Sequence, residues 1–153
     1  MDVSKKLLLF FTLTQLLQVS STITPHSTDP IGEPEMLVTD KQLVAALYSQ
    51  EPTAIMLKST SCPHCKALEV EYRASAKKHL MINFYTATNS AQLQLIPIIK
   101  SVDASLKIPG FPTLIFIHKG KIVDHQIGGN PQKMNEKIQN LRKRATAKNT
   151  KSK

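Results

Sequence analysis

The sequence predicts an α/β domain with a mixed central sheet of about four strands and helices on both faces. Three observations point there. Short apolar runs of strand length, Ala54-Ile55-Met56-Leu57 and Leu114-Ile115-Phe116-Ile117, suit strands buried on both faces. Stretches of helical periodicity alternate with the strand-like runs in the first half of the chain. The last two strands then follow one another across Lys119-Gly120, a turn signal that makes them a hairpin. An alternating start with a hairpin finish gives a mixed sheet covered on both sides.

Taken in order, Thr39 or Asp40 caps a helix through Tyr48, with Leu43, Val44 and Leu47 on one face, and Glu51-Pro52 ends it. The 54–57 strand follows, then a helix from the cysteines to about Lys78 with Leu68, Tyr72 and Ala76 at four-residue spacing. Met81 to Thr86 reads as a second buried strand. Asn89 or Ser90 opens a stretch to Lys107 of helical character, interrupted at Pro97. After the hairpin, whose second strand runs from Lys121 to Ile127, Gly128-Gly129 breaks the chain. Asn130 caps a last helix with Pro131 at its first position and Met134, Ile138 and Leu141 on one face.

The flanks differ from this body. Lys5 and Lys6 precede an apolar run from Leu7 to Leu17 and the small polar stretch Val19-Ser20-Ser21-Thr22, the layout of a secretory signal peptide over residues 1–21. The run is too short and too polar for a stable membrane span of ~30 Å; the alternative is an uncleaved anchor or an unstructured start. Residues 22–37, rich in proline, read as a linker, 38–144 as the domain, and 145–153 as a basic disordered tail. The net charge of +9 belongs largely to that end: Arg142, Lys143, Arg144, Lys148, Lys151 and Lys153 carry no acid among them, and without them and residues 1–21 the body is near +2. No aromatic residue interleaves those charges to stack on bases, so nucleic acid is not an expected partner.

The only two cysteines stand in Cys62-Pro63-His64-Cys65, where a strand feeds a helix. A loop this small removes little unfolded-state entropy when closed, so the pair is not a structural staple. Zinc would want four ligands, and His64, His79, His118 and His125 lack paired spacing, so no metal is expected. Haem attachment would need histidine where Lys66 stands. The spacing suits disulfide exchange: Cys62 attacks from the helix N-terminus, where free N–H groups stabilise a thiolate, and Cys65 resolves the mixed disulfide. His64, donating to that thiolate, would stabilise it further.

This element order, with C-x-x-C at the first strand-to-helix junction and Gly110-Phe111-Pro112-Thr113 before the hairpin, resembles the thioredoxin fold over residues 38 to 144. Cys62 to Leu68, with Glu71-Tyr72 behind, is similar to the active-site helix of protein disulfide isomerase domains, and Pro63-His64 is the dipeptide of DsbA-type periplasmic oxidants, whose large helical insertion is missing. The resemblance implies a thiol–disulfide oxidoreductase with no cofactor beyond its own cysteines, acting on protein thiols and served by a redox partner protein. It implies that Pro112 is a cis-proline opposite the sulfurs, the alternative being an ordinary trans turn proline, with Phe111 and Thr113 beside it as substrate-binding residues, Phe111 otherwise filling core. Two departures stand out. Met56 replaces the buried acid six residues before the first cysteine, and Ser61 replaces the usual tryptophan. Lys58, on the same strand face as Met56, reads as a partly exposed charge, the alternative being a cation that lowers a thiol pKa. Export implies a compartment where disulfides persist: a bacterial periplasm, with secretion or an endoplasmic reticulum lumen as alternatives. A binding or chaperone-like module with weak redox activity, or a dedicated pathway reductant, are the competing functions.

Overall fold

The computed structural model describes residues 32–147, with only the backbone described over 89–95; the signal-peptide segment and the end of the basic tail lie outside the described residues. Five strands and four helices follow in the order β1 (Glu35–Met36), α1 (Asp40–Leu47), β2 (Thr53–Lys58), α2 (Pro63–Lys78), β3 (Asn83–Thr88), α3 (Asn89–Val102), β4 (Thr113–His118), β5 (Lys121–Ile127) and α4 (Pro131–Thr146). The sheet order is β1-β3-β2-β4-β5. β3 runs parallel to both β1 and β2, and the β2–β4 and β4–β5 pairs are antiparallel.

Period-two alternation on the central strands divides the core in two. Ile55, Leu57, Ile115 and Ile117 point to one face, where Leu43, Leu47 and Ile99 from α1 and α3 cover them. Ala54, Met56, Leu114 and Phe116 point to the other, against Leu68 and Tyr72 of α2 and Met134, Ile138 and Leu141 of α4. Tyr72 is fully buried, and its hydroxyl lies 2.8 Å from the Ala54 carbonyl and 3.0 Å from that of Tyr85, tying α2 to the two parallel strands beneath it. Because helices cover both faces, β2 and β4 are apolar throughout their middles, which is why those runs read so clearly as strands.

Caps and turns follow side-chain chemistry. Thr39 accepts from the Gln42 N–H while Gln42 accepts from the Thr39 N–H, a capping box at α1. Asn130 caps α4 through the Lys133 N–H at 2.9 Å. The hairpin closes in two residues, Lys119 and Gly120, with φ of 56° and 67°, the left-handed pair of a type I′ turn whose twist suits the flanking strands.

Several boundaries depart from the sequence reading. Residues expected to be linker contribute β1, and the following Leu37 is buried with its N–H on the Thr86 carbonyl at 2.8 Å. The second parallel strand begins at Asn83 instead of Met81, since Leu80 and Met81 are hydrophobic yet exposed. α3 passes through Pro97 instead of breaking there. One backbone donor is lost, but Ile98, Ile99 and Val102 pack that end of the helix onto the core. α4 extends to Thr146, into the first residues assigned to the tail.

Outside the core a ladder of charges runs along α2. Lys58 pairs with Glu69 at 2.6 Å, Arg73 with Glu69 at 2.7 Å and with Glu33 at 2.9 Å, and Lys77 with Glu33 at 2.7 Å. Among the described residues no helix is long and apolar enough to cross a membrane.

Candidate active site

The two cysteines lie where the central strand β2 ends and α2 begins. Cys62 is the N-cap of α2 in an extended conformation, and Pro63, which has no N–H to leave unsatisfied, occupies the first turn. The cap group is the sulfur itself: the Cys65 N–H donates to Cys62 Sγ at 3.2 Å. Cys62 is half-buried and Cys65 buried, both as free thiols.

This geometry separates the two acidities. The Cys65 thiol donates to Cys62, and the backbone N–H groups of Cys65 and His64 add to it; against a smaller effect of burial they hold the Cys62 pKa below the ordinary thiol value. Cys65 moves the other way, pushed up to about 11 by burial and then by the proton it shares with Cys62, while the Ser59 N–H and the charge of Lys58 pull against that rise. One sulfur is thus an accessible nucleophile at neutral pH and its neighbour a protected, protonated reserve. Iodoacetamide at neutral pH is therefore expected to label Cys62 faster than Cys65 by about a hundredfold or more, read by peptide mass mapping at short times; comparable labelling would contradict the separation.

His64 is exposed, and its backbone N–H is among the donors that lower the Cys62 pKa. The peptide of His64 is also the contact for Gly129, where a Cβ would come within 3.2 Å of the His64 carbonyl oxygen. Glycine at 129 therefore lets the β5–α4 loop close against the reactive turn.

On the opposite side stands the Phe111–Pro112 peptide bond, which is cis. The Phe111 carbonyl is 3.7 Å from Cys62 Sγ and accepts from its thiol, while the Phe111 side chain packs on the core face shared by α1 and α3. Pro112 is buried, and its carbonyl accepts from the Gly128 N–H at 2.8 Å. Thr113, expected among the substrate-binding residues, is fully buried and its hydroxyl donates to the Gly110 carbonyl at 2.7 Å. Its side chain braces the loop and is not available to a substrate.

Sequence reasoning missed two contributors. Gln126, buried in β5, donates to the Gly128 carbonyl at 3.1 Å and the Asn130 carbonyl at 2.8 Å, fixing the loop that meets His64; a polar residue in a hairpin strand carries no local sign of this. Glu69 was missed too, and with it the environment of Lys58. That lysine is buried and ion-paired, not a partly exposed charge. Met56, fully buried, takes the place of an acid among apolar neighbours. Among the described residues no three His, Cys, Asp or Glu side chains converge as metal ligands.

The chain and its fold resemble known proteins. The chain is similar to thioredoxin H3 of Arabidopsis thaliana, at 27% identity over 106 residues that cover 69% of this chain and 81% of that protein. It is similar to thioredoxin-like protein 1 of Schizosaccharomyces pombe, at 28% identity over 85 residues, 56% of this chain but 28% of that protein's length. Its fold matches the thioredoxin of Malassezia sympodialis with a TM-score of 0.64 at 19% identity, covering 77% of this chain and 98% of the other, and that of Trypanosoma brucei brucei with a TM-score of 0.64 at 18% identity, covering 76% and 97%. Residues 39–142 match the family model of the thioredoxin-like domain, and the chain belongs to that family.

Proposed function

We propose that this chain is an exported thiol–disulfide oxidoreductase that exchanges disulfides with protein thiols through Cys62 and Cys65, with no cofactor beyond that pair. The observation that carries this reading is the opposed acidity of the two thiols, Cys62 lowered at the helix cap and Cys65 raised in the interior. Attack by the Cys62 thiolate on a substrate disulfide forms a mixed disulfide, and Cys65 then displaces the substrate sulfur. Family membership agrees with this chemistry.

A lowered Cys62 pKa stabilises the reduced form and makes the disulfide form a better oxidant, so the direction leans to oxidation or general exchange. Export rests on residues 1–21 and places the pair in an oxidising compartment, a bacterial periplasm in this reading. The redox partner is a second thiol–disulfide protein able to reach Cys62.

The test is catalysis of insulin reduction by dithiothreitol and of oxidative refolding of a reduced disulfide protein, each at catalytic amounts. Cys65→Ser is expected to accumulate mixed disulfides visible on non-reducing gels. Absence of both activities in the native protein would overturn the reading. It would favour a binding module instead, for which the apolar Met56 speaks. Such a module would retain client binding when both cysteines are serine.

A further inference from the structure

We propose that the part-buried Lys58–Glu69 ion pair is the positioning device for the resolving cysteine, with the Lys58 ammonium stabilising the Cys65 thiolate while Cys62 is bonded to substrate. This deepens the oxidoreductase reading and rests on it.

The placement comes from the end of β2 meeting the first turns of α2. Lys58 is the last residue of β2, and the next residue, Ser59, directs its backbone N–H at the Cys65 sulfur. Glu69 follows Cys65 by four residues along α2, so both lie on one helix face. The ammonium joins strand to helix at 2.6 Å from the Glu69 carboxylate, with the lysine side chain 11% exposed. Glu69 holds the Lys58 ammonium in place, and Arg73 backs the carboxylate from the next turn at 2.7 Å. Burial works against the Glu69 carboxylate, but the hydrogen bonds from Lys58 and Arg73 outweigh it and hold its pKa below the ordinary value.

The charges acting on Cys65 are Cys62 from the helix cap and Lys58 from β2, with the Glu69 carboxylate one turn along the same helix face and paired to Lys58. In the reduced protein Cys62 opposes ionisation of Cys65. Once Cys62 is tied up in a mixed disulfide that opposition is gone, and Lys58 is the charge left facing the second sulfur. Cys65 then loses its proton to solvent and its sulfur attacks Cys62 Sγ. The Cys62–Cys65 bond forms and the bond from Cys62 to the substrate sulfur breaks. The electron pair departs on that sulfur, which takes up a proton. The two cysteines are oxidised and the substrate disulfide is reduced. In the oxidising direction the Cys65 thiolate is the leaving group, and the same ammonium stabilises it.

Stopped-flow reaction of the reduced protein with excess dithiobis(nitrobenzoate) separates the steps. The first nitrothiolate is released when Cys62 attacks, the second when Cys65 resolves. Lys58→Met should leave the first phase within about twofold, slow the second about tenfold at neutral pH and raise its pH midpoint by about one unit. Lys58→Arg, whose guanidinium stays charged when buried, should keep the native midpoint. The double variant Lys58→Met with Glu69→Gln leaves no unpaired charge inside and should show the same upward shift, so a folding failure of the single variant leaves the test intact. A native midpoint in the second phase of these charge-deleted variants, or equal slowing of both phases, would overturn the proposal. A native protein whose first phase is no faster than a free thiol would instead overturn the oxidoreductase reading itself.

Discussion

Cys62→Ser will abolish disulfide exchange, lowering the rate by about a thousandfold or more in both insulin reduction and thiol oxidation. Of the two thiols only Cys62 is partly exposed and has a lowered pKa; the serine hydroxyl that replaces it does not ionise near neutral pH and cannot form a disulfide. Cys65 does not substitute for it, being buried and pushed up to about 11. The variant also removes the sulfur that caps α2, and serine is itself a favoured cap, so the fold should survive. Circular dichroism and denaturation curves matching the native protein, with exchange lost, are the expected pair of results. Undiminished turnover would remove Cys62 from the centre of the mechanism.

The largest effect on stability is expected at Phe116. Its ring is fully buried in the face beneath α2 and α4, and its strand lies between β2 and β5. Its backbone registers against Ala54 on one side and Asp124 on the other, so β4 has little freedom to close a gap. Phe116→Ala should cost about 3–5 kcal/mol, a large share of the roughly 5–15 kcal/mol that holds a domain of this size. With a urea slope of about 2 kcal/mol per molar, the midpoint falls by about 2 M. A fall of less than about 0.5 M would mean that the face repacks far more readily than its burial implies.

What the sequence made legible was local. Cys62 and Cys65, Gly110 to Thr113, the Lys119-Gly120 turn and the Asn130-Pro131 helix start are each read within a few residues, and the structure builds them at those positions. What escaped depends on distant partners. β1 is two residues long, and its reason for existing is the pairing with Tyr85 and Thr86, some fifty positions away. Met81 looked like strand because apolar side chains mark burial only on average, and here it faces solvent beside the equally exposed Leu80. Lys58 and Glu69 sit on different elements, so neither residue's neighbours along the chain reveal the pair. Thr113 stands in the right loop, but only the packed strand shows its hydroxyl turned inward onto Gly110.

The ion pairs of Glu33 bear on how the domain is presented to other proteins. Arg73 and Lys77 grip that residue near the far end of α2, and by helical rise Lys77 is about 22 Å from Cys62. The point where the chain enters the described residues is therefore held at the end of α2 away from the sulfurs. An attached domain or a membrane surface on that side leaves the sulfurs facing outward, and a reporter or solid support coupled there should not shield them from large protein clients.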